Sequence, residues 1–460
     1  MTPSADLVVV GGGLAGCEAA WQAAERGLRV QLYEMRPARM TGAHQTDLLA
    51  ELVCSNSLGS DLPNRAGGLL KQELEMLGSM LLQVARESSV PAGGALAVDR
   101  AAFAERATRR ILGHSGIELI REEVKEIPLG PVVLASGPLT SPDLSESLAR
   151  LTGAAHLYFY DAIATSVAAE SINLEVVYED SRRSLTSDYL NCPLDREQYY
   201  QFVAELGQAD RIPLREFEEA LRSGVRAGPA AYFEGCLPVE ILAERGPDTL
   251  AFGPMRPVGL RDPHTGKRPF AVVQLRQEDS ARTTYNLVGF QTNLMYPEQR
   301  RVFHLIPGLE RAEFVRYGQM HRNTFVNSPR LLLPTLQSKI RPDLFLAGQI
   351  TGVEGYMGNV ATGLLAGWNA ARVLRGCSPL ELPPTSMLGA LCRYITAAEE
   401  QRFQPMKANF GLLPPLERGP RGKLERGSAL TARGLEHLRL YIQEQQGSTA
   451  IPGARPSAPE

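Results

Sequence analysis

The period of the hydrophobic pattern changes along this chain. Residues 6–10, Asp-Leu-Val-Val-Val, turn apolar and stay so, the mark of a parallel strand buried on both faces. Residues 17–26 follow with small and apolar positions at helical spacing, and Gly27 stands where a helix stops on a glycine. A second apolar strand is predicted over 29–33 and ends at Glu34. The same rhythm predicts a helix over 67–86, broken by Pro91-Ala92-Gly93-Gly94. It also predicts a helix over 99–112 capped by Asp99, and strands over 117–120 and 131–136. Near residue 170 the pattern shifts to alternation, as in Tyr285-Asn286-Leu287-Val288-Gly289-Phe290, with helices expected over 195–206 and 213–223. The buried-strand pattern returns at 344–348. A small-residue helix over 359–373 follows, then helices over 385–399 and 431–445.

The connection after the first strand carries the first chemistry. Gly11, Gly12, Gly13, Leu14, Ala15 and Gly16 form a GxGxxG turn between strand and helix. Gly11 suits the tight turn, Gly13 lets backbone approach a pyrophosphate, and Gly16 lets the helix pack close to the sheet. The helix N-terminus offers N–H groups and the positive end of its dipole to phosphate. Glu34, at the end of the second strand, can accept hydrogen bonds from ribose hydroxyls. The late strand ends in Gly348 and Gln349, where many flavoproteins have Gly-Asp. Gly352, Gly355, Gly358 and Asn359 then lead into the next helix. Two glycine elements at the two ends of one domain point to FAD rather than NAD, with adenosine at the first strand and the flavin end at the late segment.

The expected fold class is therefore α/β: a discontinuous Rossmann-like FAD-binding domain of the glutathione-reductase type, with an inserted mixed α+β domain and C-terminal helices. Its expected parts are residues 1–169 and 302–380, with the insertion at 170–301. C-terminal helices span 381–446, and a Ser/Pro/Gly tail at 447–460 is expected to be disordered. A chain of 460 residues is long enough for that division.

Composition excludes several other classes. The chain is 44% hydrophobic and 22% charged, as soluble globular proteins are, and no apolar run is long enough to span a membrane. The first strand begins almost at once, so no signal peptide is expected and a cytoplasmic location fits. The six cysteines are far apart and none has zinc-ligand spacing. The net charge of −3 argues against a nucleic-acid coat protein without excluding a local basic face. Basic residues gather at Arg182-Arg183, at Arg261, Lys267 and Arg268, and at Arg418, Arg421, Lys423 and Arg426. By charge alone these read as solvated faces.

Cys54 and Cys236 are the candidate reactive thiols. Cys54 precedes a Ser/Asn/Gly stretch that would expose it. Cys236 sits between Gly235 and Pro238, near Glu234 and Glu240. On the residues alone, each is equally readable as a buried structural thiol. Cys17 and Cys392 lie on apolar helix faces and read as core, Cys377 as incidental, and Cys192 stays open.

The stretches GGGLAGCEAAWQAAERG, LVCSNSLGSD, YFEGCLPVE, FGPMRPVGL, RYGQMHRNT and FLAGQITGVEGYMGNVATGLLAGWNAAR resemble, over nearly the whole chain, the folate- and FAD-dependent tRNA (uracil-5-)-methyltransferase family, often called TrmFO. The resemblance implies transfer of a methylene group from methylenetetrahydrofolate to C5 of the T-loop uridine of tRNA. Reduced FAD would supply electrons, and NADH or NADPH would regenerate it. Carried over by motif, Cys236 resembles the nucleophile at C6 and Cys54 the second catalytic cysteine, as base or partner thiol. Tyr356 resembles the family's aromatic residue over the flavin. A tRNA substrate would make the basic clusters candidate phosphate contacts. The related GidA or MnmG wobble-uridine flavoproteins share part of residues 306–318 but normally carry a longer helical C-terminal domain. A flavin-containing RNA-binding protein without turnover is a third reading. The sequence leaves the oligomeric state open.

Overall fold

The computed structural model describes residues 5–153, 157–162, 164–182, 187–212, 237–318, 320–400 and 403–448. Cys236 and the helix expected over 213–223 lie outside the described residues.

The first sheet is fully parallel, in the order Leu344–Leu346, Val132–Leu134, Leu7–Val10, Val30–Tyr33, Ile117–Ile120. The chain starts in the middle strand and builds outward on one side. It then crosses over and builds outward on the other. The reversal between Leu7–Val10 and Val132–Leu134 opens a crevice at the carboxyl ends of the strands, where doubly wound sheets bind ligands. Gly11 turns there with φ +107°, and a Cβ on it would lie 2.4 Å from the Ala135 carbonyl oxygen.

The Leu14–Ala24 helix packs directly on the late helix Tyr356–Leu374. A Cβ at Gly363 would stand 2.2 Å from the Ala15 carbonyl oxygen, and one at Gly367 would stand 2.4 Å from that of Ala19. The two backbones thus meet with no side chain between them. Trp368 Nε1 ties the same crossing to Gln22 Oε1 at 2.7 Å.

Three helices differ from the pattern-based expectation. The helix expected over 67–86 is two, Ala66–Met76 and Met80–Glu87, parted at Gly78 with φ +73°. Ser79 caps the second by accepting from Leu82 N, while its hydroxyl donates to buried Glu18, which also accepts from Met80 and Leu81 N. Apolar periodicity runs through this break because both helices face one core. The late helix starts at Tyr356 rather than Asn359, with Gly355 as its N-cap at φ +87°. The last helix spans Lys423–Ser448, longer than expected. A Cβ on its Gly427 would meet the Asn64 carbonyl oxygen at 2.4 Å, so this glycine serves close packing.

The second sheet is antiparallel: Tyr178–Asp180, Tyr189–Leu194, Ala271–Gln277, Thr284–Gln291, Ala164–Ala168, Phe314–Arg316. The Arg196–Gln208 helix, opened by an Asp195/Gln198 capping box, covers it through Tyr199, Phe202 and Leu206.

The Ala66–Met76 helix also anchors the C-terminal helices. Buried Glu73 accepts from Met387 N at 2.6 Å and Leu388 N at 3.0 Å, at the start of Met387–Ala397. Burial pushes the Glu73 carboxyl up to about 7, against the pull of those two N–H groups. Below pH 4.5 both folded and unfolded chains hold this proton. Between 4.5 and 7 only the folded chain does, so stability falls as pH rises through that window. We predict that urea unfolding free energy drops more steeply with pH in the wild type than in Glu73→Gln across this window, by up to about 1.4 kcal/mol per pH unit. Equal slopes would refute the shift. At the helix crossing, Gly363→Ala should cost about 1–3 kcal/mol in the same assay, whereas Gly42→Ala, with open space around its Cβ position, should cost almost nothing.

Candidate active site

The crevice encloses about 1000 Å³, counting its open mouth. Gly11, Gly12, Gly13, Leu14 and Ala15 line it, with Glu34 on one side and Gly348, Gln349, Tyr356 and Asn359 on the other. Ser136, Gly137 and Pro138 form a further wall. Gly16 and Gly358 do not line it. Gly16 serves packing, since its Cβ would fall 1.8 Å from the Gly11 carbonyl oxygen; a Cβ on Gly358 would meet Val353 Cγ1 at 2.7 Å.

The residues fit an extended dinucleotide. Two helices, Leu14–Ala24 and Tyr356–Leu374, open on the crevice. Gly13 has nothing within 4 Å of its Cβ position, which leaves backbone approachable. Asn359 lines the crevice, and its buried Oδ1 has no hydrogen-bond partner among the described residues. A buried acceptor of this kind calls for a donor from a ligand. Gln349 holds its amide toward Glu354 Oε1 at 2.9 Å.

Glu34 has more partners than its strand-end position suggests. Its Oε2 accepts from Gly12 N at 2.9 Å, and its Oε1 accepts from Arg36 N at 3.0 Å and Nε at 2.9 Å. Burial would raise this carboxyl, but the hydrogen bonds and charge of Arg36 hold it below the usual range. Arg36 is itself fully buried and reaches Glu51 Oε2 at 3.0 Å. A ribose hydroxyl that meets Glu34 therefore shares oxygens already engaged. Sequence reasoning passed over Arg36 and Glu51; the signal was a charged residue two places beyond the strand-end acid, in a stretch that read as loop.

Cys54 stands behind Tyr356. The Tyr356 hydroxyl accepts from Cys54 N at 2.8 Å and from Ser55 N at 3.1 Å. Burial first, and the charge of a Cys54 thiolate next, push the Tyr356 phenol up, so it keeps its proton. Arg100 holds the same loop from the other side, donating to Leu52 O at 3.1 Å and Cys54 O at 3.2 Å. Glu278 then gathers two arginines, Arg100 at 2.7 Å and Arg316 at 3.0 Å. Arg276 Nε donates to Asn56 Oδ1 at 2.8 Å. Burial would push Glu278 up, but Arg100 and Arg316 outweigh it and keep it ionised; burial lowers both Arg276 and Arg316. None of Arg100, Arg276 and Glu278 was a sequence candidate. Arg276 lies in strand Ala271–Gln277, which is buried at every position, and nothing in its local sequence marks it as a site residue.

Cys17, Cys192 and Cys392 are buried, and burial pushes all three thiols up. Among the described residues no cluster could hold a metal ion, and no helix is long and apolar enough to cross a membrane.

A parallel sheet with a glycine turn at its switch point and a second helix opening on the same crevice defines a two-segment dinucleotide-binding α/β protein. The family model described as glucose inhibited division protein A matches residues 6–378. The methylenetetrahydrofolate–tRNA-(uracil-5-)-methyltransferase TrmFO of Moorella thermoacetica is 57% identical over 94% of this chain and 97% of its own length. That of Heliobacterium modesticaldum is 54% identical over 95% and 98%. The Aquifex aeolicus GidA structure superposes with a TM-score of 0.66 at 17% identity, covering 96% of this chain and 76% of its own, and so speaks for the fold alone. The chain belongs to the glucose-inhibited division protein A family, on its TrmFO branch.

Tyr356→Phe removes the acceptor for two backbone N–H groups. It should cost about 1–3 kcal/mol and speed hydrogen exchange at the Cys54 and Ser55 amides. Unchanged exchange in the variant would show that the phenol does not hold this loop.

Proposed function

We propose that this chain is a methylenetetrahydrofolate-dependent tRNA (uracil-5-)-methyltransferase, cytoplasmic, with FAD in the crevice and NADH or NADPH as reductant. The observation that carries the reading is the Tyr356–Cys54 contact. It puts a cysteine loop at the wall where the late glycine segment would hold the flavin end. When bound, the flavin supplies the reducing equivalents that turn a methylene into a methyl group.

The chain's residues do the rest. C5 of uracil is a weak carbon nucleophile. Addition of the Cys236 thiolate to C6 places an enolate on C5, which attacks the methylene carbon from the folate. A base then takes the C5 proton, the carbon–nitrogen bond to the folate breaks with the nitrogen leaving as the amine, and once the methylene has been reduced the C6–sulfur bond breaks to return the thiolate. Cys54 is the candidate base or partner thiol. Tyr356 shields the flavin end from water, and Asn359 and the two helix N-termini orient the dinucleotide. The cationic surroundings of Cys54, from Arg100, Arg276 and Arg316 against Glu278, stabilise negative charge that forms nearby.

The wobble-uridine alternative shares the fold, but likeness at that level does not choose a substrate. Mass analysis of nucleosides from tRNA incubated with the protein, FAD, NADPH and methylenetetrahydrofolate decides. We expect 5-methyluridine in the T-loop, abolished by Cys236→Ala and by Cys54→Ala. Full activity of both variants, or a product at the wobble position, would overturn the assignment.

A further inference from the structure

The turn that carries Arg261, Lys267 and Arg268 is rigidly built, and among the described residues no ion pair neutralises its cations. Asp262 N donates to Lys267 O at 2.9 Å, and Gly266 N donates to Asp262 O at 2.8 Å, closing a tight hairpin. Gly266 sits at φ +68° in its bend. The only carboxylate in the turn, buried Asp262, is consumed internally, accepting from His264 N and from the Thr265 hydroxyl, both at 2.9 Å. Gly259, at φ +83°, presses the base of the loop against residue 182, where a Cβ would lie 2.3 Å from the Arg182 carbonyl oxygen. Buried Met255 and Leu260 anchor the segment below.

Closure of the Asp262–Lys267 pair sets Arg261 and Arg268 as flanking neighbours, so three cations crowd one turn and Arg256 adds a fourth nearby. Like charges this close repel. Among the described residues, no carboxylate pairs with any of the four. Some exposed arginines elsewhere are paired, as Arg29 is with Asp6 and Arg439 with Glu436; the turn differs in gathering its cations on one short closed hairpin. Four residues before Arg256 in the chain, Phe252 is 84% exposed at the end of a short helix, an apolar ring standing in water. Unneutralised cations close in the chain to a bare aromatic ring match a phosphate backbone with a base to stack.

Position agrees. Strand Ala271–Gln277 begins just past the turn and ends where Arg276 and Gln277 hold Asn56, two residues from Cys54. From Ala271 to Gln277 the strand covers roughly 20 Å at about 3.4 Å per residue. A folded RNA with one end at Cys54 spans that distance.

We propose that residues 252–268 form a docking platform for the phosphate backbone of the tRNA, remote from the reacting uridine: Arg256, Arg261, Lys267 and Arg268 meet phosphates, and Phe252 stacks on an exposed base. This rests on the tRNA substrate proposed above. The test is equilibrium binding of an unmodified tRNA transcript to the FAD-loaded protein across a salt series, for the wild type, the triple variant Arg261→Gln/Lys267→Gln/Arg268→Gln, and Phe252→Ala. Each lost phosphate contact should reduce the slope of log affinity against log salt by about 0.9 on duplex, so the triple variant should lose about 2–3 from it. Phe252→Ala should weaken binding about tenfold with the slope intact. Reduction of the flavin by NADPH should be unchanged in every variant, which reports that they fold and load cofactor. A triple variant with wild-type affinity and slope, while the wild type binds and methylates tRNA, overturns the platform and leaves the substrate standing; an acidic protein would then be the better occupant. A wild type that neither binds nor methylates tRNA overturns both.

Discussion

The fold depends on one close approach. The Leu14–Ala24 and Tyr356–Leu374 helices come from opposite ends of the chain, yet they touch backbone to backbone because Gly363 and Gly367 have no side chains where Ala15 and Ala19 present carbonyls. Any larger residue would force the helices apart by more than a packed interior tolerates. The contact sets the angle and depth at which both helix N-termini meet the crevice. A dinucleotide needs one helix end at its pyrophosphate and a second segment at its far end. Glycine spacing on the late helix is thus a cofactor-binding feature, although neither glycine reaches the crevice.

The same crossing positions Cys54. Tyr356 opens the late helix, and its hydroxyl reaches across 302 residues of sequence to hold the Cys54 amide. From the opposite side, Arg100 and the Glu278–Arg316 pair bring the second sheet onto the same loop. Three buried or half-buried guanidiniums face a single carboxylate there. Burying excess charge is costly, and the cost is tolerable where an anion forms or binds. A thiol flanked by such a field is better suited to chemistry than the buried thiols of Cys17, Cys192 and Cys392, whose apolar surroundings disfavour the thiolate.

Much of the first sheet was legible because buried parallel strands and glycine turns have local signatures. The 6–10 strand, the GxGxxG turn and Glu34 each announce themselves within a few residues, as does the Asp99 cap, whose side chain accepts from Ala102 N. The Ala66–Met76 and Met80–Glu87 break did not, because its cause is distant: Glu18, far away in sequence, accepts from the second helix's first N–H groups. The Cys54 surroundings were illegible for the same reason. Arg100, Arg276, Glu278 and Arg316 are scattered through helix and strand segments and mean nothing until the two sheets meet. Arg36 was hidden differently, since a loop between strands gives no hint that a guanidinium folds back under the preceding carboxylate.

This division separates what the fold shares from what its members do. The first sheet would hold its dinucleotide chiefly through backbone geometry: glycines, helix ends and amides, features that tolerate wide sequence change. The likeness to GidA at 17% identity is of that kind. The second sheet works through side chains, Arg276 and Glu278 at one end of the Ala271–Gln277 strand and the cationic turn just before its other end. A single buried strand therefore connects the surroundings of Cys54 to the surface that a large anionic partner would meet first. Under the proposed function, substrate choice would rest on side chains that project from the second sheet and not on the backbone that grips the cofactor. Two proteins can share the crevice and differ in what they modify, and here the residues that would make the difference lie along that strand.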